Sequence, residues 1–303
     1  MKRGALVSVG WLAPRLPQLQ VVDATWFLAP VHGPRSPADE FAQARIPGSV
    51  RFDLDALSDP AEKDLPHMLA PADWFGAQME ALGLFASKPI VVYDRLGMFS
   101  AARAWWNLKV MGAADVMLLD GGLPAWLDKK LPFASGPLAP PTARGRWPAP
   151  PAHEVQKHVV SLQAMEAWVR APDAKVPVID ARSAARFTGE TGEPRAGLQP
   201  GHVPHSLNLP FGALLNADGT FKSDDELKAA FRAAGVSLDG PLRPQRAVCM
   251  CGSGTTAAVV AFALHNFFHL HAQIYDGSYA QWAKADAKRP VLTSTSSAPP
   301  AKM

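Results

Sequence analysis

The sequence predicts an α/β protein built from two similar domains, each a mainly parallel sheet flanked by helices. Three observations lead to this prediction: the length of the chain, a repeat within it, and the alternation of short apolar strands with helical stretches. At 303 residues the chain suits two domains of roughly 150 residues, each with its own hydrophobic core. The composition, with 48% hydrophobic and 19% charged residues, is that of an ordinary globular protein.

A repeat runs through the chain with an offset of 156 or 157 residues. Asp23 in the first half matches Asp180 in the second, and Ser49 matches Ser206, each 157 residues later. The matching segments are residues 21–24 and 178–181, 46–49 and 203–206, 91–94 and 248–251, and 119–122 and 275–278. Four matches at a nearly constant offset indicate a tandem duplication.

Short apolar strands alternate with helical stretches in each copy. The predicted strands comprise residues 21–24, 90–93 and 117–119 in the first copy, and residues 178–181, 247–250 and 273–275 in the second. Helices are predicted at residues 100–111 and 256–268. This alternation is typical of a parallel sheet covered by helices on both faces. In such folds, functional sites lie where strands end and helices begin.

A proline-rich stretch is predicted to connect the two domains. Residues 136–155 have little periodic hydrophobicity, and we interpret them as a stiff, exposed linker. The N-terminal domain then comprises residues 1–135 and the C-terminal domain residues 156–303. The tail at residues 293–303 is expected to be disordered or loosely attached.

Charge, hydropathy and cysteine content exclude several classes of function. The net charge of +3 is small for this length and no run of basic residues stands out, so nucleic-acid binding has no support. The longest apolar run, residues 257–264, is too short to span a membrane. Two cysteines, separated by one residue, cannot form a disulfide framework and favour a reducing compartment, which we expect to be the cytoplasm.

The turn that follows the strand at residues 247–250 predicts a nucleophilic cysteine. Cys251 is its first residue, and Gly252 and Gly254 allow the backbone to curl until several N–H groups point inward. The start of the next helix adds its positive dipole end, which favours a thiolate. The alternative is a structural cysteine before a glycine turn. Cys249 lies within the strand and is interpreted as a core side chain, and no ligand cluster for a metal is apparent.

This turn carries a resemblance to a known family. Residues 251–256 read Cys-Gly-Ser-Gly-Thr-Thr, which resembles the active-site loop of rhodanese-like sulfurtransferases, in particular the Cys-Gly-Ser-Gly-x-Thr form of the 3-mercaptopyruvate sulfurtransferases. Thr255 stands where that family usually has valine. The likeness extends from about residue 19 to residue 291. It implies that Gly252, Gly254, Thr255 and Thr256 line the substrate site, although Thr256 also suits a helix cap.

The resemblance implies an enzyme that moves sulfur by way of a cysteine persulfide. Cys251 would take the sulfur of 3-mercaptopyruvate, release pyruvate, and pass the sulfur to cyanide or to a thiol, such as thioredoxin or a small thiol. This chemistry requires no metal or organic cofactor.

Two arginines are candidates for binding the carboxylate of such a donor. Arg186 and Arg195 stand nine residues apart in a glycine- and proline-interrupted loop after the strand at residues 178–181. Two guanidinium groups can hold a carboxylate through paired hydrogen bonds. Spacing alone favours solvated surface charge, whereas the resemblance implies that these are the family's two substrate-binding arginines.

Three further residues are candidates for proton handling. Asp55 and His67 lie in loops of the first copy, where a turn cap and an exposed imidazole would be the ordinary interpretation. The resemblance implies that an aspartate and a histidine at these positions approach the cysteine loop from the other domain. Ser253, two residues after Cys251, can donate to the thiolate or to an oxygen of the leaving group, or can bond to the backbone of its own turn.

The first copy provides an internal comparison. Asp94 stands where the second copy has Cys251, and a carboxylate cannot act as a sulfur nucleophile. The N-terminal copy is therefore predicted to be catalytically silent.

Other functions remain open from the sequence alone. A thiosulfate sulfurtransferase is the alternative, but a loop adapted to that dianion would carry cationic side chains after the cysteine, where this chain has Gly252 and Ser253. A cysteine phosphatase of related fold would need an arginine six residues after the cysteine, where Ala257 stands. A non-catalytic sulfur carrier or redox-sensing module is a further alternative.

Overall fold

The computed structural model describes residues 2–141 and 143–294. The chain forms two compact units. Unit 1 comprises the chain up to Lys63, together with Leu69–His158 and Leu215–Lys222, and unit 2 comprises Asp64–Met68, Val159–Leu214 and the chain from Ser223 onward. Each unit therefore includes a short segment from the sequence copy that mainly forms the other. Most of the tail that was expected to be loosely attached, residues 295–303, lies outside the described residues.

Unit 1 contains a six-stranded sheet in the order β1-β2-β6-β5-β3-β4. Its strands are β1 (Lys2–Arg3), β2 (Leu6–Val7), β3 (Gln20–Asp23), β4 (Ser49–Arg51), β5 (Ile90–Tyr93) and β6 (Val116–Leu119). Strand β1 is antiparallel to β2, and the other neighbours are parallel. The helices are α1 (Val9–Leu12), α2 (Ala29–His32), α3 (Pro37–Gln43), α4 (Ala72–Ala81), α5 (Ala101–Val110), α6 (Gly122–Asp128) and α7 (Ala152–Gln156), with a 3₁₀ helix at Ala13–Gln18.

Unit 2 contains a five-stranded parallel sheet in the order β7-β11-β10-β8-β9. Its strands are β7 (Val159–Val160), β8 (Val178–Asp180), β9 (Leu207–Asn208), β10 (Ala247–Met250) and β11 (Ala272–Tyr275). The helices are α8 (Leu162–Arg170), α9 (Ala184–Thr188), α10 (Asp224–Ala233), α11 (Ala257–Phe268) and α12 (Ser278–Trp282). Short 3₁₀ helices lie at Phe211–Leu214, Gly240–Leu242 and Ala285–Ala287.

The predicted α/β fold class, with mainly parallel sheets flanked by helices, is confirmed. Strands β5 and β10 have the predicted bounds, and the other predicted strands and helices differ by one residue at one or both ends. Strand β10 lies between β8 and β11 and is buried along its whole length, as a central parallel strand requires. The first two turns of α11 are buried all round, because they follow β10 into the core. The end of β10 and the start of α11 are thereby held rigidly.

The proline-rich stretch was expected to be an exposed linker. That expectation is wrong for part of its length, which is buried. Trp147 is 3% exposed and donates from its indole nitrogen to the carbonyl of Met111 at 2.7 Å. Backbone hydrogen bonds from Gly145 to Glu80 and from Ala86 to Arg146 hold the same segment against unit 1. Burial of a large aromatic side chain outweighs the local preference of proline for an extended, solvated chain.

Among the helices of the described residues, none combines the length and apolar character needed to cross a membrane.

Candidate active site

The cysteine loop leads from the end of β10 into α11, and all six of its residues are buried. Cys251 is 3% exposed. Gly254 has a φ of +77°, in the left-handed region where other side chains are strained, so the loop needs glycine there. The loop thus turns tightly around the cysteine.

Strand β11 and the start of α12 anchor this loop from outside. The N–H of Cys251 donates to the hydroxyl of Ser278 at 3.3 Å, and that hydroxyl donates to the carbonyl of Tyr275. The N–H of Tyr279 donates to the carbonyl of Cys251 at 3.0 Å, and the N–H of Ala280 to the carbonyl of Gly252 at 2.9 Å. Ser278 has a φ of +48°. The sequence analysis did not identify these anchoring residues.

The two candidate arginines converge on the loop at Gly252. A Cβ atom built on Gly252 would lie 2.8 Å from Nη2 of Arg186 and 3.7 Å from Nη1 of Arg195. Both guanidinium groups therefore lie directly over the residue that follows Cys251. A side chain at this position would therefore displace the Arg186 guanidinium from the loop.

Arg186 is held in place by a buried carboxylate that the sequence analysis missed. Glu193 is 2% exposed at its side chain and accepts from Nε of Arg186 at 3.0 Å and from Nη2 at 2.5 Å. It also accepts from Nη1 of Arg182 at 2.7 Å. Burial alone would raise the pKa of Glu193, but the hydrogen bond from Arg186 and the two positive charges hold that pKa below its usual range.

Arg182 links this ion pair to the sheet. Its side chain is fully buried, bonds to both carboxylate oxygens of Asp180 at the end of β8, and donates to the carbonyl of Gly201. Its guanidinium carbon also lies 3.6 Å from the ring centroid of Tyr279. The orientation of Arg186 is therefore set by a chain of buried charges that begins at a strand end. In the sequence, the only signal was that Arg182 lies four residues before Arg186 and Glu193 two residues before Arg195.

A cavity of about 450 Å³ in unit 2 opens beside Arg195. Its walls carry charges of both signs and small apolar side chains, from Asp64, Pro66, Arg195, Ala196, Gly197, Leu198, Ala280, Lys284, Ala285 and Asp286. The volume is ample for a small organic acid.

His67 belongs to the Asp64–Met68 segment that forms part of unit 2. It is 2% exposed, and its Nδ1 lies 3.0 Å from Oγ of Ser253 and 2.9 Å from Oγ1 of Thr255. His67 has a φ of +63°, an uncommon backbone conformation for a residue with a side chain. The structure thus brings an imidazole and two hydroxyl groups together on the cysteine loop.

A model of the rhodanese-like domain matches residues 15–129 and again residues 161–285. The chain belongs to the rhodanese-like family.

Similar proteins include named sulfurtransferases. The 3-mercaptopyruvate sulfurtransferase of Escherichia coli K12 is 38% identical over 283 residues, which is 92% of this chain and 95% of that protein. The mitochondrial thiosulfate/3-mercaptopyruvate sulfurtransferase 1 of Arabidopsis thaliana is 36% identical over 296 residues, covering 92% and 76% of the two chains. The solved structure of SseA, a 3-mercaptopyruvate sulfotransferase from Escherichia coli, has a TM-score of 0.78 and 36% identity, covering 91% of this chain and 99% of SseA.

The first rhodanese-like copy has a carboxylate at the position of the nucleophile. Asp94 is fully buried, and its Oδ2 accepts from three backbone N–H groups at 2.7 to 2.8 Å, those of Phe99, Ser100 and Ala101. Its Oδ1 accepts from the N–H of Leu96 at 2.8 Å. The loop of this copy is therefore an anion cradle, and the side chain of its own first residue occupies it.

Anchoring of the Asp94 loop matches that of the cysteine loop. The carbonyl of Asp94 accepts from the N–H of Leu123 in α6, as the carbonyl of Cys251 accepts from Tyr279 in α12. The two rhodanese-like copies thus hold the first loop residue in the same way.

The remaining predicted site residues have other surroundings. Asp55 is an exposed residue of unit 1, and its Oδ2 accepts from the indole nitrogen of Trp26 at 2.9 Å. Thr256 precedes α11, but the expected side-chain cap is absent, because its backbone is helical (φ −78°, ψ −16°) rather than extended. Thr256 is 9% exposed.

Cys249 lies in the core of the second rhodanese-like copy. It is completely buried in β10, opposite Ile179 and Ile274 of the neighbouring strands. Burial, and then the neighbouring Cys251, raise the pKa of its thiol well above the usual range. In the described parts of the chain, no three His, Cys, Asp or Glu side chains group as metal ligands would.

Proposed function

We propose that this rhodanese-like protein is a 3-mercaptopyruvate sulfurtransferase and that Cys251 is its nucleophile. The observation that carries the proposal is the convergence of the Arg186 and Arg195 guanidinium groups on Gly252, the residue next to Cys251. Two fixed guanidinium groups beside a cysteine suit a sulfur donor that bears a carboxylate. The named relatives support the same donor.

In the first half-reaction, the Cys251 thiolate attacks the sulfur of 3-mercaptopyruvate. The new S–S bond forms as the C–S bond of the donor breaks, and the electron pair of that bond passes into the 2-oxo acid to give the enolate of pyruvate. The proton of the donor thiol becomes available from the persulfide, and its transfer to the enolate carbon gives pyruvate and the persulfide anion. Arg186 and Arg195 hold the carboxylate throughout.

Proton transfer in this step is assigned to the hydroxyl and imidazole groups on the loop. Ser253 is two residues from Cys251 and lies within hydrogen-bond distance of His67. A hydroxyl and an imidazole this close together can handle a proton without leaving a free charge in the buried site. We also assign Asp55 to this group, as a polarising carboxylate, on the resemblance to the family.

The persulfide anion is stabilised by the backbone of the cysteine loop. Support for this comes from the first copy, where amides at equivalent positions surround the Asp94 carboxylate. With the offset of 157 residues, the matching N–H groups are those of Ser253, Thr256 and Ala257. Gly254 provides the turn that directs them toward the sulfur.

In the second half-reaction, a thiolate or cyanide attacks the outer sulfur and regenerates the Cys251 thiolate. The product is a persulfide of the acceptor, or thiocyanate. We propose a small thiol or a protein thiol such as thioredoxin as the acceptor, in a reducing compartment such as the cytoplasm. Both cysteines of the chain are free, as this chemistry and compartment require.

Thiosulfate is the second candidate donor, because the Arabidopsis relative is named for both donors. The experiment is a comparison of kcat/KM for 3-mercaptopyruvate and for thiosulfate on the purified protein, with cyanide as the acceptor for both. The expected result is a clear preference for 3-mercaptopyruvate. A clear preference for thiosulfate would overturn this choice of donor.

A further inference from the structure

We propose that Thr255 is a positioning residue whose hydroxyl engages the imidazole of His67, so that the hydroxyl proton of Ser253 is available to the reacting groups. The inference rests on the proposed function, since it concerns the proton that the donor half-reaction requires.

The three side chains form a buried cluster on the cysteine loop. Nδ1 of His67 lies 2.9 Å from Oγ1 of Thr255 and 3.0 Å from Oγ of Ser253. The two hydroxyl oxygens are 3.4 Å apart. The exposed fractions are 2% for His67, 4% for Ser253 and 3% for Thr255. One ring nitrogen therefore has two hydroxyl groups at hydrogen-bond distance, away from bulk water.

The hydrogen-bonding capacity of this cluster leaves at least one hydroxyl proton without an acceptor inside it. A neutral imidazole nitrogen either accepts one hydrogen bond or donates one. If Nδ1 accepts, two hydroxyl protons compete for one lone pair, and one is left over. If Nδ1 carries the proton, it donates to a hydroxyl oxygen, and both hydroxyl protons remain for other acceptors. The distance of 3.4 Å between the hydroxyls is long for a good O–H···O bond, so they do not satisfy each other.

A valine at this position would change that balance. With Ser253 as the only hydroxyl on an accepting Nδ1, its proton would be held by the ring. The Thr255 hydroxyl also reaches the ring nitrogen, at 2.9 Å, and by occupying it leaves the Ser253 proton for the donor oxygen or sulfur beside Cys251. A hydroxyl donor in a buried site stabilises the charge that develops on those atoms.

The test is a double-mutant cycle on the donor half-reaction. Thr255→Val removes the hydroxyl with little change in shape, and Ser253→Ala removes its partner. The rate of persulfide formation is followed by intact mass in single turnovers, so that slow variants remain measurable. In the wild-type background, Thr255→Val is expected to lower this rate and kcat by about 10-fold, with little change in KM. Thr255→Ser, which keeps the hydroxyl, should recover most of the lost rate.

The decisive comparison is Thr255→Val in the Ser253→Ala background. If Thr255 acts through the Ser253 proton, the valine substitution has little further effect there. The same 10-fold loss in both backgrounds, or no loss in either, would overturn the proposal. A melting temperature equal to that of the wild type excludes a mere loss of packing in a variant. Failure of the wild type to gain sulfur from 3-mercaptopyruvate would instead count against the proposed function, and the cycle would then be run with the donor that does load the enzyme.

Discussion

Gly252→Ala tests the proposal that Arg186 and Arg195 bind the donor carboxylate. The added Cβ would lie 2.8 Å from Nη2 of Arg186, whereas ordinary contact begins at 3.4 Å, so the guanidinium must withdraw by at least the difference of 0.6 Å. Arg186 cannot withdraw freely, because Glu193 holds it through hydrogen bonds of 3.0 and 2.5 Å. Losing one charge-assisted hydrogen bond to the donor carboxylate costs about 1.5 to 3 kcal/mol, which corresponds to a loss of roughly 10- to 100-fold.

The assay is steady-state turnover of 3-mercaptopyruvate with cyanide as the acceptor. The loss should fall mainly on KM, because the altered contact holds the carboxylate and not the reacting sulfur. Gly212→Ala is the matched control, since a Cβ on Gly212 would meet nothing within 4 Å. A KM for the Gly252→Ala variant within 2-fold of that of the control would refute this account of the arginine pair.

Three further predictions concern the two cysteines and two buried carboxylates. Cys251→Ser should abolish sulfur transfer. Cys249→Ser should keep this activity but lower the free energy of unfolding by about 1 to 2 kcal/mol, because a hydroxyl replaces a core thiol. Equal loss of activity in both variants would favour a redox pair. Asp94→Asn should destabilise the protein by about 2 to 4 kcal/mol in urea unfolding, because an amide cannot accept from all four N–H groups that bond to the carboxylate. A change under about 0.5 kcal/mol would contradict the claim that these N–H groups stabilise the charged Asp94 side chain. Burial raises the pKa of Asp120 to about 6, so its favourable contribution is complete below about pH 4 and lost as the pH rises through 6. Relative to Asp120→Asn, the wild type should therefore be on the order of 2 kcal/mol less stable at pH 8 than at pH 4, and a difference that does not change with pH would show that the surroundings of this half-buried carboxyl do not raise its pKa.

The parts of the fold and site that the sequence predicted are those encoded locally. Strand β10, the turn at Cys251 and Gly254, and α11 are consecutive, so hydrophobic pattern and glycine spacing are sufficient to find them. The duplication was equally visible, because it preserves short strands and turns at a constant offset. Arg186 and Arg195 required the family resemblance, since nine residues of separation do not reveal that two guanidinium groups meet over one glycine.

What the sequence could not predict depends on contacts distant in the chain. Glu193 and Arg182 look like ordinary loop charges, and their burial follows only from the ion pairs that link them to the end of β8. The separation of 186 residues between His67 and Ser253 likewise conceals their contact at 3.0 Å, which forms because Asp64–Met68 joins unit 2. The missing side-chain cap at Thr256 reflects the tight loop before it, which leaves that residue in a helical conformation.

The central claim is that Cys251 accepts a sulfur atom from a carboxylate-bearing donor and holds it as a persulfide. The most direct measurement is the intact mass of the wild type and of Cys251→Ser after incubation with 3-mercaptopyruvate, before and after addition of a thiol. The account predicts one added sulfur atom on the wild type only, which disappears when the thiol is added. An unchanged wild-type mass, or the same added sulfur on the Cys251→Ser variant, would contradict it.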